Sequence, residues 1–299
     1  MKVFVAGGTG QVGRRAVVGL LAAGHDVTAL ARTAESAELL RRTGALPVPV
    51  SLFDPDALRR AVAGHDVVVN LATHIPVGAA AIRPGAWRED DRIRTEGSRN
   101  LVDAALHHGV GRLVQEAVTF VYPDCGDDWI TEHTVPVPNP RSQAATMAAT
   151  AQAARFTAGG GAAVVLRFGL FYGPDPASLD VLARARVGKP VVLGRAGGWL
   201  SPVHPDDAAA AVVAALGCPA GIYNVCEPPV RRSEWATAIG AAVGRGPAKF
   251  YPPLVQKLAG PRAEPVGRSH RVSSGAFTAA TGWLPGHRST HGGWAEAGD

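Results

Sequence analysis

KVFVAGGTGQVGRRAVVGLLAAG, residues 2–24, decides how this chain is read. Residues 2–6 are an apolar run with β-branched Val3 and Val5, the pattern of a buried strand. Gly7-Gly8-Thr9-Gly10-Gln11-Val12-Gly13 follows at once. A helical stretch then runs from Val12 to Ala23 and stops at Gly24. Strand, glycine loop and helix in this order make a phosphate cradle. The glycines permit a tight turn and let backbone N–H groups approach a pyrophosphate, while the helix N-terminus adds about half a positive charge. A bare GxxGxxG spacing is weak evidence. Its place directly behind an apolar strand is what points to a dinucleotide.

The rhythm continues outward from this unit. Strands are expected at 27–31, 47–50, 67–71, 113–118 and 162–167, and helices at 34–42, 56–63, 97–107 and 142–157. Asp54-Pro55 is a helix start signal. Alternating strands and helices imply parallel strands with covering helices, an α/β fold with a Rossmann-like doubly wound sheet. After about residue 170 the rhythm weakens and Pro and Trp become more frequent. The expected division is a dinucleotide-binding domain over 1–170 and a smaller C-terminal substrate lobe over 171–299, intertwined with the first.

Composition sets the outer bounds. With 299 residues, 46% of them hydrophobic and 18% charged, the chain has apolar mass for one large domain or two merged ones, and too little charge for disorder. Gly, Arg or Asp break every apolar stretch well before 18 residues, so no membrane span is expected. Residues 1–6 are too short for a signal peptide. The expectation is a soluble cytoplasmic protein. Cys125, Cys218 and Cys226 form no CxxC pair and read as free thiols. The net charge of +5 comes from dispersed arginines, with only Lys2, Lys189, Lys249 and Lys257 beside them. A nucleic-acid reader would concentrate charge on one helix or stripe, so neither nucleic acid nor membrane is an expected partner.

The second strand ends in Ala31-Arg32-Thr33. A site for NAD wants an acid there to accept from the ribose 2′-hydroxyl, and none occurs before Glu35. Arg32 instead offers a guanidinium for a 2′-phosphate and for stacking on adenine, and Arg14 stands near enough to assist. NADPH is the expected cofactor, with NADH as the lesser option.

Beyond the glycine loop, further segments carry a resemblance: HDVVVNLAT (65–73), GSRNLVDAALHHGVGRLV (97–114), LRFGLFYGP (166–174), VHPDDAAAAVVAAL (203–216) and YNVCEPP (223–229). Collinear over nearly the whole chain, they resemble the extended or atypical branch of the short-chain dehydrogenase/reductase superfamily, the NAD(P)-dependent epimerase/dehydratase-like proteins. The resemblance implies that Leu71, Ala72 and Thr73 pass beneath the nicotinamide ribose and that Phe168 and Gly169 meet the nicotinamide. It also implies a catalytic Ser/Thr and a Tyr-x-x-x-Lys pair, and here the chain departs. The residues four beyond Tyr122, Tyr172, Tyr223 and Tyr251 are Gly126, Pro176, Glu227 and Val255. No lysine lies between Lys2 and Lys189. The family's Ser/Thr, Tyr and Lys positions fall near Val118, Ala144 and Ala148, with Thr119 a weak substitute.

Three functions fit such a chain: an NADP(H)-binding regulatory protein without catalysis, an unusual reductase, and a nucleotide-sugar epimerase or dehydratase. The last needs a strong proton shuttle, and no other pair replaces the missing one. A reductase can still work if the carbonyl carries its own internal hydrogen bond, because hydride delivery depends chiefly on placement. That combination resembles the ketoreductases that tailor aromatic polyketides, angucyclinones among them, and a polycyclic aromatic ketone is the expected partner. Tyr122, His74, Ser142 and Trp199 are the expected substrate contacts. Gln143, Trp87 and Trp129 are further residues to place, and Arg94 either reaches an acidic substrate or pairs with Glu96 or Asp90. His204, Asp206 and Asp207 invite a metal reading, but helix capping explains them better and no metal is expected. The oligomeric state stays open.

Overall fold

The structure, a computed structural model, describes residues 1–83, 85–137, 143–258, 260, 263–290 and 293–294. Its centre is a seven-stranded parallel sheet. In chain order the strands are β1 (Lys2–Ala6), β2 (Asp26–Leu30), β3 (Leu46–Val48), β4 (Val67–Asn70), β5 (Arg112–Val118), β6 (Ala162–Phe168) and β7 (Gly221–Val225). Across the sheet they run β7-β6-β5-β4-β1-β2-β3. Register is set by pairs such as Val3 with Val27 on one side and Val67 on the other.

The period of two along β1 explains the two cores. Val3 and Val5 point into one apolar cluster, and Phe4 and Ala6 into the other. Helices α1 (Gly13–Ala22) and α6 (Pro205–Ala214) cover the first face through Val17, Leu20, Ala211 and Val212. Helices α3 (Pro55–Val62), α4 (Ser98–His107) and α5 (Ala144–Ala158) cover the second through Leu58, Leu101 and Phe156. Each such Leu or Val is worth about 1.5–3 kcal/mol when fully buried. Local chemistry sets the helix ends. Asp54 accepts from the Ala57 amide with Pro55 in the first turn of α3, as its start signal predicts. Thr33 caps α2 (Ala34–Thr43) by accepting from the Ser36 amide.

The two lobes share strands and helices. Both α6 and β7 belong to the central sandwich although they follow residue 200. A third cluster, built on Tyr172, Leu182, Trp235, Ile239 and Trp294, forms the core of the smaller lobe. The seam between residues 1–170 and 171–299 around Tyr122 is polar. Within 171–299, buried Arg232 donates to the carbonyls of Leu193, Val266 and Arg268 at 2.7–2.8 Å. Among the described residues no helix is long and apolar enough to cross a membrane, and the three cysteines are free.

Tyr122, expected at the substrate, belongs to this seam. It is wholly buried, its hydroxyl donates to Asn224 at 2.8 Å and accepts from Arg167 at 2.7 Å, and its carbonyl accepts from Arg268. His270 approaches the same carbonyl at 3.1 Å. Burial, helped by the cations Arg232 and Arg268, pushes the His270 imidazole down to about 4. An unfolded histidine titrates near 6.5, so between these values the unfolded chain binds a proton that the folded chain refuses. Stability is therefore lost as pH falls through this window. Between pH 7 and pH 5 urea melts of the wild type should lose about 2 kcal/mol more than those of His270→Gln, whose amide still donates to Tyr122. Equal losses would show that His270 does not set the acid limit.

Candidate active site

The carboxyl ends of the strands open into a cavity of about 890 Å³. One end is the glycine loop: Gly7, Thr9, Gly10, Gln11, Val12 and Gly13 all line it. The loop is closed by Gly10 N–H donating to the Gly7 carbonyl at 3.0 Å, and α1 starts as Arg14 donates to Gly10. Gly7 has φ +84°, and a Cβ there would lie 2.6 Å from the backbone of Leu71 and Ala72. A Cβ on Gly13 would lie 1.9 Å from the Gly7 carbonyl oxygen. The side-chain amide nitrogen of Gln11 is buried and has no hydrogen-bond partner among the described residues. A cradle closed to any Cβ and a donor left open at a helix N-terminus fit a pyrophosphate. Gly8 lies in the loop but turns inward, where a Cβ would meet Ala29 and Leu40.

Arg32, Thr33 and Ser36 continue the wall at the end of β2. The Arg32 guanidinium is largely exposed and only 3.5 Å from Glu89, a loose pair that an incoming phosphate can displace. Leu71, Ala72, Thr73 and His74 line the cavity from the end of β4. His74 also donates its amide to Asp90 at 2.8 Å.

The far end lies between β5 and β6. Val118, Phe120, Gln143, Ala145, Thr146, Gly169, Leu170 and Phe171 line it. Val118 thus stands on the wall at the expected Ser/Thr position. On α5 the wall residues are Ala145 and Thr146, whereas Ala144 is exposed and Ala148 does not line the cavity, a slip of one residue from the expected alignment. Phe168 is wholly buried, packs on Phe171 at 5.6 Å and does not line the cavity, whereas Gly169 does. Thr119 is buried behind the wall and Phe120 takes its place. Trp199 lies outside the cavity, with its ring beneath Arg231 at 3.9 Å and its indole N–H donated to Asp127 at 2.7 Å. Trp129 stacks on Arg271 beside it, and Trp87 alone of the three tryptophans lines the cavity. Ser142 falls outside the described residues.

Beneath this end is a buried charge cluster in which the Arg94–Asp90 pair that the sequence offers is joined by Glu116, which it does not. The axis from Arg88 to His107 contains a π-helical stretch, Ile93–Gly97, which turns Arg94 toward β5. Arg94 Nε donates to Asp90 at 2.9 Å, and its terminal nitrogens donate to Glu116 at 2.7 and 3.2 Å. Burial works against the Arg94 charge, but Glu116 and Asp90 outweigh it and hold the guanidinium above its ordinary value. All three residues line the cavity. The signal in the sequence was Glu116 itself, an acid inside the apolar run of β5.

His204, Asp206 and His287 meet elsewhere, on α6. His204 Nδ1 accepts from the Asp206 amide at 3.3 Å and caps the helix, as capping predicted. The His204 and His287 rings stack at 3.8 Å, Arg15 pairs with Asp206, and Asp207 accepts from the amides of Gly286 and His287. These contacts dock residues 283–290 on α6.

Fold and cradle together define a nucleotide-binding α/β protein. The family model described as the NAD dependent epimerase/dehydratase family matches residues 3–226, and the chain belongs to that family. A 3-diazoavenalumate denitrifying reductase from a Streptomyces species is 32% identical, covering 97% of this chain and 97% of its own. A 4-hydroxy-2-methyl-3-oxo-4-farnesyl-3,4-dihydroquinoline-1-oxide ketoreductase from Stigmatella aurantiaca is 30% identical over 42% of this chain and 35% of its own. The UDP-glucose 4-epimerase of Thermus thermophilus, solved with NAD, superposes with a TM-score of 0.78 at 26% identity, covering 100% of this chain and 98% of that one.

Gly13→Ala tests the cradle. The added methyl cannot coexist with the Gly7 carbonyl. NADPH, which should raise the melting temperature of the wild type, should leave that of a folded variant unchanged; an undiminished rise would remove the loop from the binding site.

Proposed function

We propose that the chain is an NADPH-dependent reductase of an aromatic small molecule, a polycyclic ketone of the angucyclinone kind, working without a protein acid at the reacting oxygen. The observation that carries this reading is the wall of Val118 and Ala145 where the family's hydroxyl and phenol are expected, in a chain whose full-length relative is a reductase. Bound NADPH supplies the hydride. The loop Gly7–Gly13 and the start of α1 would hold its pyrophosphate, and Arg32, Thr33 and Ser36 line the part of the cavity where a 2′-phosphate would be held. Val118, Phe120, Leu170 and Phe171 exclude water and align a flat ring system. Such placement is worth an effective concentration of about 10⁵–10⁸ M, against about 10²–10⁴-fold for general acid help. A ketone with a neighbouring phenol supplies its own hydrogen bond, so the smaller factor can be lost.

The diazoavenalumate relative favours a second reading, the reductive removal of a diazo group. There too the protein need not donate a proton.

Anaerobic assays of NADPH absorbance with angucyclinone, anthraquinone and arenediazonium substrates test both readings. Oxidation with at least one ketone is expected. If NADPH binds and none is consumed, the enzyme reading fails and a cofactor-binding regulator replaces it; interconversion of UDP-sugars would replace it with an epimerase. For the cofactor, Arg32→Asp should shift preference toward NADH by at least tenfold. An unchanged NADPH/NADH ratio would take Arg32 out of the site.

A further inference from the structure

The cavity floor carries more negative charge than it needs to hold itself together. Two carboxylates, Asp90 and Glu116, share one guanidinium, Arg94, and the three are at most 7% exposed. The formal balance of the cluster is therefore one negative charge, held in a desolvated place where it acts strongly on whatever enters. Glu116 lies two residues before Val118 on β5, so both point to the same face of the strand. Rings of Trp87, Phe120 and Phe171 line the same cavity. Aromatic faces with a buried carboxylate are the setting that stabilises an organic cation.

We propose that Asp90, Arg94 and Glu116 form a specificity-determining charge site that selects an aromatic substrate whose electrophilic group is cationic, with an arenediazonium as the type. The inference rests on the reductase reading in its second form, the removal of a diazo group, and favours that substrate class over the neutral ketone. The chemistry balances without a protein acid. A hydride added to the ring carbon that bears the diazonium forms a C–H bond; the C–N pair leaves with dinitrogen, and the nicotinamide is left oxidised. The positive charge on the substrate is what the floor recognises, and the missing Tyr and Lys are then not needed. A substrate carboxylate must lie away from this floor.

Calorimetry on the NADP⁺-loaded protein tests the charge site apart from turnover. The probes are 4-(trimethylammonio)phenol, a stable cation, and 4-tert-butylphenol, its neutral isostere. The wild type should bind the cation at least tenfold more tightly. Glu116→Gln and Asp90→Asn each remove the excess charge, and each should bring the two affinities within about threefold, in proteins that melt cooperatively. A cluster that only ties the helical axis of Arg94 to β5 would not distinguish the probes. Equal affinities in the wild type, or a cation preference that survives in a folded variant, overturns the proposal. Cation preference with no NADPH oxidation on any substrate keeps the charge site and discards the reductase reading.

Discussion

The approach of α1 to the end of β1 governs the rest of this structure. Gly13 passes so near the Gly7 carbonyl that no side chain fits between them, and Gly7 in turn lies against the backbone at the end of β4. Three elements are thus fixed at one point. The helix can start at the sheet's edge with its free amides aimed into the cavity, and the β4 end that forms the next part of the wall is held at the same place.

At the other end of the cavity, a buried charge cluster lies beneath the apolar wall of Val118 and Ala145. The π-helical stretch before α4 swings a buried arginine onto an acid in β5, and a second acid links the pair to the backbone of His74. The arrangement closes a helix, a strand and a loop around one guanidinium. Removing the guanidinium from such a buried set would leave two carboxylates uncompensated, and breaking a buried pair in this way costs about 3–5 kcal/mol. Rigidity and electrostatic character at this end therefore come from the same three side chains.

The sandwich was legible because its pattern is local. Alternation in β1, the glycine loop behind it, Thr33 and Asp54 as caps and Gly24 as a stop all act within a few residues of their own position. The cavity wall at Gly7, Thr9–Gly13, Arg32 and Leu71–His74 could be named for the same reason, since strand ends in a parallel sheet share one edge. What failed were side chains whose direction depends on distant partners. Tyr122 is drawn into the seam by Asn224 and Arg167, and Trp199 is held outside by Arg231 and Asp127. Asp90 and Glu116 are joined only through Arg94, and Glu116 lies on a strand 22 residues further along the chain, a pairing that no local pattern announces. Ala144 and Ala145 exchanged roles because an alanine-rich helix carries almost no amphipathic signal.

The outermost strand of the sheet, β7, arrives from a stretch of chain more than fifty residues after its neighbour β6. A fragment ending near residue 170 would keep the glycine loop but leave β6 as a bare margin, with its row of amides and carbonyls unanswered. Such a margin invites pairing with other copies of itself. The nucleotide-binding half of this molecule is thus not a detachable module. It becomes self-contained only after the chain has travelled through the smaller lobe and returned.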